Sequence, residues 1–341
     1  MESDSPPGHP ESLLGGTSLR ISTQRLIDLT ASTGFRAEIV EKVAQLLAIL
    51  NELGEHQYLR ERLVLKGGTA LNLFVFDLPR LSVDIDLNYI GSSDRETMLA
   101  ERPNVEKAIT AVCGRLEFNV QRMPSEHAGG KWRLRYQTSV TQGANLELDM
   151  NFMLRQPMWS VQRLDSKLLG EYGVTGFSVL DIHELAAGKL AALLSRHAGR
   201  DLFDAHRLLT CDMLDRDKMR LAFVVYGAMN RKDWRTVSID DVDFEPQELR
   251  EMLLPVLRTD FLATVGDFDA WALTLAKECR SALDIVLPLN SGEKEFLDCI
   301  MDQGEIVPSL LTSDPEMASR IASQPLLLWK AQNVRQHKGL A

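Results

Sequence analysis

Apolar positions Phe35, Ile39, Val40, Val43, Leu46, Leu47, Leu50 and Leu53 recur at three- and four-residue spacing, which predicts an amphipathic helix. Ser32 or Thr33 stands where its cap belongs and Gly54 where it should close. From Leu63 to Phe152 the period changes. Short runs with strand character occur as LVL at 63–65, SVDIDLNY at 82–89, LEFNVQ at 116–121, KWRLRY at 131–136 and LELDMNF at 146–152. Helices are expected between them near Thr69 to Phe76 and Asn104 to Cys113, the second closed by Gly114. This alternation predicts an α/β (α+β) mixed sheet. Beyond Asp181 the text is helical, in DIHELAAGKLAALLSR, RDLFDAHRLLT, DKMRLAFVVYGAM, PQELREMLLPVL and FDAWALTLAKECRSAL. The expected organisation is an arm over 1–20, a sheet domain with N-terminal helices over 21–175 and a helical domain over 176–341.

At 341 residues the chain exceeds what one growing core usually serves, so two packed units are expected. The arm, with Pro6, Pro7, Pro10, Gly15 and Gly16, has too little apolar surface to repay ordering. It also has neither the basic start nor the apolar core of a secretory signal. Runs such as LFVF and LLLW fall far short of the roughly 20 residues a bilayer demands. No membrane span is predicted, and a cytoplasmic protein is expected. Cys113, Cys211, Cys279 and Cys299 are scattered with no C-x-x-C pair, which fits reduced packing residues rather than a zinc knuckle or a disulfide framework. The net charge of −10 disfavours diffuse binding to a polyanion, so a nucleic-acid partner must meet a local basic patch. The acidic run IDDVDFEPQELRE at 239–251 reads as a solvated loop entering a helix.

Residues 66–91, KGGTALNLFVFDLPRLSVDIDLNYIG, carry the candidate chemistry. Gly67 and Gly68 follow a strand and precede a helix that Thr69 is placed to cap, an arrangement that presents backbone N–H groups to a phosphate. Asp84 and Asp86 lie two apart in an apolar strand, so both carboxylates share one face while Val83, Ile85 and Leu87 take the other. Adjacent carboxylates repel, and a hard cation such as Mg²⁺ bridging to substrate phosphates relieves that repulsion. Asp149 alternates out of the apolar face of its own strand. If that strand neighbours the first, three acids converge, as two-metal phosphoryl transfer requires.

The ordered blocks G-G-T-A-L, R-L-S-V-D-I-D-L, L-E-L-D, D-I-H-E-L-A-A-G-K-L and R-D-L-F-D resemble the AbiEii/AbiGii toxin family of nucleotidyltransferases, which includes the mycobacterial MenT toxins. The resemblance spans about residues 60–210. It implies a polymerase-β-type nucleotidyltransferase fold, with a helical C-terminal domain that brings Lys189 and Asp201 to the cleft. It implies metal ligands Asp84, Asp86 and Asp149, the last also the base; a phosphate turn at Gly67, Gly68 and Thr69; a phosphate-binding Lys189; and an acidic site residue at Asp201. Arg80 and Ser82 fit the family's R-x-S-x-D-x-D form. Gly188 departs from it, standing before the lysine where a better helix former is expected. The implied activity is a Mg²⁺-dependent transfer of NMP from an NTP, with a pyrimidine nucleotide such as CTP a candidate, to a hydroxyl acceptor. The resemblance also implies a toxin of a toxin–antitoxin or phage-defence (abortive-infection) pair with a cognate antitoxin as partner, and for relatives of the MenT kind the acceptor is the tRNA 3′ end.

Several of these residues carry a second, structural reading. Asp181 with Glu184 forms a capping box, Asp201 is placed as an N-cap, and Asp204 suits the helix dipole. Lys189 reads equally as a surface lysine. Lys131, Arg133 and Arg135 share one strand face, either as a solvated edge or as a contact for nucleotide phosphates or a nucleic-acid end. Lys189, Arg196, His197 and Arg200 form a second basic cluster. His183, His197 and His206 lack metal-ligand spacing, and Ser82 reads as a packing residue. The rival functions are nucleotidyl transfer to a protein or small molecule, and a non-catalytic binding scaffold.

Overall fold

The computed structural model describes residues 19–77, 79–123, 129–139, 143–196 and 199–340. The arm through residue 18, and His197, lie outside them. Helix α1 (Thr23–Thr33) precedes the helix read from Phe35 onward. Ser22 caps it by accepting from Arg25 N, and Gly34 at φ 73° ends it. Ser32 and Thr33 therefore form its last turn, donating to Leu29 O, and do not cap the following helix. That helix, α2 (Ala37–Glu55), starts after Arg36 with no side-chain cap and runs through Gly54.

The strands β1 (Leu63–Lys66), β2 (Asp84–Tyr89), β3 (Asn119–Met123), β4 (Gly129–Tyr136), β5 (Ala144–Asn151), β6 (Gln162–Leu164) and β7 (Phe177–Val179) form one mixed sheet in the order β3-β4-β5-β2-β1-β7-β6. Pairs β2/β5 and β1/β7 are parallel and the rest antiparallel. Strand β4 therefore lies between β3 and β5, so the edge-strand reading of Lys131, Arg133 and Arg135 does not hold. Helix α3 (Gly67–Thr69) follows β1 and continues as a π-helical segment over Ala70–Val75. Helix α4 (Arg95–Arg115) is twice as long as expected. It starts at Asp94, whose carboxylate accepts from Thr97 N, carries Pro103 inside and passes through Gly114. Helices α2 and α4 pack together over the apolar sheet face, where the buried Trp132 indole donates to Thr110.

The C-terminal half is helical: α5 (Ile182–Arg196), α6 (Gly199–Leu209), α7 (Arg216–Ala228), α8 (Pro246–Leu253), α9 (Thr259–Val265), α10 (Phe268–Ala282), α11 (Ser291–Asp298), α12 (Pro315–Ala322) and α13 (Pro325–Lys338). Buried apolar residues from Ile21 to Leu327 form one connected cluster across sheet and helices. No helix among the described residues is long and apolar enough to cross a membrane.

Candidate active site

The parallel pairing of β2 with β5 sets Asp84 opposite Glu147, Asp86 opposite Asp149 and Asn88 opposite Asn151. Since side chains alternate across a strand, Asp84, Asp86 and Asp149 share one face, opposite the buried Ile85, Leu87, Leu148 and Met150. Each carboxylate has a cation at ion-pair distance. Asp84 lies 3.6 Å from Arg200, Asp86 3.6 Å from Lys66, and Asp149 3.6 Å from Lys131. Burial pushes Asp84 above the ordinary carboxylate range despite Arg200, and the charge of Asp86 adds to the shift. Asp149 is raised likewise, first by burial and against the pull of Lys131.

Gly67 adopts φ 71°, and a Cβ there would overlap the Asp86 carboxylate. Both the left-handed backbone and the space beside Asp86 therefore require glycine. At Gly68 a Cβ would meet Ser82 Oγ at 2.9 Å and Arg80 at 3.1 Å, so this glycine lets the turn pack on the approach to β2. Thr69 does not cap the helix. It is fully buried and its hydroxyl donates to Asp84 O, which ties α3 to β2.

These acids suit a hard divalent ion by chemistry: three carboxylates on one face, partly desolvated, beside a residue without a side chain. Among the described residues no three His, Cys, Asp or Glu side chains stand at metal-holding spacing.

Lys189 and Asp201 are placed elsewhere than their structural readings required. Lys189 is no surface residue: its side chain is 10% exposed and donates to Asp201 Oδ1 at 2.8 Å, with Asp204 Oδ2 at 3.1 Å. Burial pushes its pKa down, but Asp204 and Asp201 more than offset this, so the ammonium is held charged. Asp201 lies inside α6 and also accepts from Arg196, so it is not an N-cap. Asp204, read from sequence as a dipole residue, is buried, accepts Arg80 bidentately and Asn72 at 3.3 Å. Burial raises its pKa, yet Arg80 and Lys189 outweigh burial and hold it at about 2. The spacing of Asp204 three residues beyond Asp201, on one helix face, was the available signal.

The basic strand is largely answered by its neighbour. Lys131 bonds Glu147 at 2.7 Å and Arg133 lies 3.4 Å from the same carboxylate, while Arg135 is exposed. Lys42 of α2 was not singled out in the sequence. Burial lowers its pKa, against the attraction of Asp84 and Glu147, which places it among the same charges. His183 is satisfied by Asp181 and Asp215 N, whereas His206 meets Glu278 through Nε2 only and its Nδ1 finds no partner among the described residues.

A cavity of about 400 Å³ opens beside the acids, lined at that end by Lys66, Gly67, Asp86 and Lys189. Glu184 lines its other end. The carboxylate does not close a capping box with Asp181. It accepts from Met158 N at 2.9 Å, Trp159 N at 3.3 Å and the Tyr226 hydroxyl at 3.0 Å. Burial pushes its pKa up from 4.5 to about 7. The folded chain thus holds this proton more tightly than the unfolded one. The stabilisation is complete below about pH 4.5 and is lost as the pH rises towards 7. Glu184→Gln should flatten that decline, read as the difference in melting temperature between about pH 5 and about pH 7.5. An unchanged difference would assign the pH dependence to other groups.

Against known proteins, the family model described as "Nucleotidyl transferase AbiEii toxin, Type IV TA system" matches residues 48–275. No curated protein matches the chain significantly. Among solved structures, the nucleotidyltransferase toxin MenT4 of Mycobacterium tuberculosis H37Rv superposes with a TM-score of 0.57 at 19% identity, over 89% of this chain and 98% of that one. This likeness is one of fold.

Proposed function

The chain belongs to the AbiEii family of nucleotidyl transferase toxins of type IV toxin–antitoxin systems, and on that premise we propose that it moves NMP from an NTP to the 3′ hydroxyl of tRNA with release of pyrophosphate as the α–β phosphoanhydride bond breaks, blocking translation until a cognate antitoxin counters it. The observation that carries the reading is the register of Asp86 against Asp149 beside Gly67. Asp84, Asp86 and Asp149 would hold Mg²⁺, which supplies charge neutralisation at the α-phosphate when bound. Asp149, its pKa raised by burial, would take the proton of the attacking hydroxyl. The backbone of Gly67 and Gly68 receives the triphosphate. Lys189 spends two of its three N–H groups on Asp201 and Asp204, which leaves one for a phosphate oxygen in the cavity. Lys66 stands at the same mouth. Thr69 acts through the backbone of Asp84 rather than on phosphate. Lys131 and Arg133 steady Glu147 and Asp149 and lie beside the path of the acceptor.

The test is incubation of the purified protein with Mg²⁺, each α-labelled NTP and total tRNA, followed by sequencing of the 3′ ends. Added nucleotides that disappear when the tRNA 3′ ends are first oxidised with periodate are expected. Label on a protein or small acceptor would move the reading to that substrate, and no label anywhere would leave a scaffold.

A further inference from the structure

The period of two that gathers the acids continues to Asn88, two residues beyond Asp86 on the same face of β2. Asn88 is 1% exposed, lines the cavity beside the acids, and its Oδ1 has no hydrogen-bond partner among the described residues. A buried amide oxygen without a partner is uncommon in a folded chain, because its lost hydration goes uncompensated. Of the acids that share the cavity with Asn88, Glu184 is taken by Met158 N, Trp159 N and the Tyr226 hydroxyl. Between Asn88 and the mouth the lining is mixed, with Leu154, Leu180 and Leu185 offering apolar surface beside the Tyr226 ring and the polar Ser195 and Asn230.

Cations at the mouth, apolar surface along the way and an open amide at the inner end match a nucleotide in sequence: phosphates, then the flat faces of a base, then its hydrogen-bonding edge. A cavity of this volume lies in the range that takes small ligands. We propose that this cavity seats the base of the incoming nucleotide and that the Asn88 amide reads its edge, which makes Asn88 a specificity-determining residue. The inference rests on the acids being the transfer site, since that fixes which end takes the phosphates. One competing occupant is built into the geometry. An annex of about 10 Å³, room for a single water, also touches Asn88 and Gln156, whose Oε1 is likewise unpartnered.

Calorimetric titration of ATP, GTP, CTP and UTP, each with Mg²⁺, against the full chain tests the proposal. The wild type should bind its best nucleotide at least about tenfold more tightly than its worst, because a site that hydrogen-bonds a polar edge rejects ligands that cannot complete the bond. Asn88→Leu should compress that spread to under about threefold by weakening the best ligand. Asn88→Asp keeps the shape but removes the donors, so it should change the order of preference, and it carries the test should the leucine variant fail to fold. Four nucleotides bound alike by the wild type, or none bound, would overturn the inference. So would variants that keep the wild-type order and spread, the result a water-bridged amide gives. Base-selective binding that depends on Asn88 without transfer to any acceptor would instead remove the proposed function and leave this inference standing. Transfer with a base preference indifferent to Asn88 would do the reverse.

Discussion

Asp86→Ala should lower kcat/KM for nucleotidyl transfer by about 10³-fold or more while the chain stays as stable as the wild type. A bound divalent ion contributes several kcal/mol at the reacting phosphate, and each 1.36 kcal/mol is about tenfold in rate. Asp84→Ala should do the same, and Asp149→Ala should lose about 10²–10⁴-fold as the proton acceptor goes. Stability should move the other way. Burial and neighbouring acids hold Asp84 and Asp149 above the usual carboxylate range, so their charges oppose folding at neutral pH. Their removal should leave the melting temperature level or raise it, as happens where function holds like charges together. Kinetics and thermal melting on the same three proteins decide the matter. Activity within about tenfold of wild type in all three would contradict the assignment.

The opposite pattern is expected at Asp204. This carboxylate is 1% exposed and joins three distant segments: Arg80 before β2, Asn72 after α3, and Lys189 of α5. Asp204→Ala leaves the Arg80 guanidinium buried without its bidentate partner and strips Lys189 of one of its two acids. Breaking a buried ion pair from one side typically costs about 3–5 kcal/mol, because the remaining charge cannot reach water. Urea unfolding should show a loss of that order, together with lost activity. A double variant, Arg80→Met with Asp204→Leu, should recover much of the stability but not the activity, since an apolar pair removes the stranded charge without restoring the Lys189 position. An Asp204→Ala protein destabilised by less than about 1 kcal/mol would show that the cluster relaxes into water. The two predictions together separate acids kept for chemistry from an acid kept for architecture.

What could be read from the sequence was whatever depended on neighbours along the chain. The two-residue spacing of Asp84 and Asp86 assigns them one face without reference to any partner, and the glycine pair marks its own turn. The pairing of β2 with β5 has no local signature, so the meeting of Asp86 with Asp149 was legible only as a condition. Asp204 was misread for the same reason: its partner Arg80 lies 124 positions earlier in the chain. Thr69 and Glu184 each sit where a local cap is plausible, but bond instead to Asp84 O and to the backbone of Met158 and Trp159. Pro103 hid the first half of α4, because proline normally ends a helix that here continues through it. Strands β6 and β7, three residues each, are too short to show a period at all. Asn88 continued the spacing of the acids in plain view. Only its burial and open amide oxygen, both products of the fold, set it apart.

Whether Asp84, Asp86 and Asp149 hold divalent ions beside the Gly67 turn is decided by a Mn²⁺ titration, followed by electron paramagnetic resonance, of the wild type and Asp86→Ala in the presence of an NTP analogue that cannot be cleaved between the α- and β-phosphates. The wild type should bind Mn²⁺ in stoichiometric amount, and Asp86→Ala should lose that binding while remaining folded. Equal Mn²⁺ binding by the two proteins, or none by the wild type, would contradict the account.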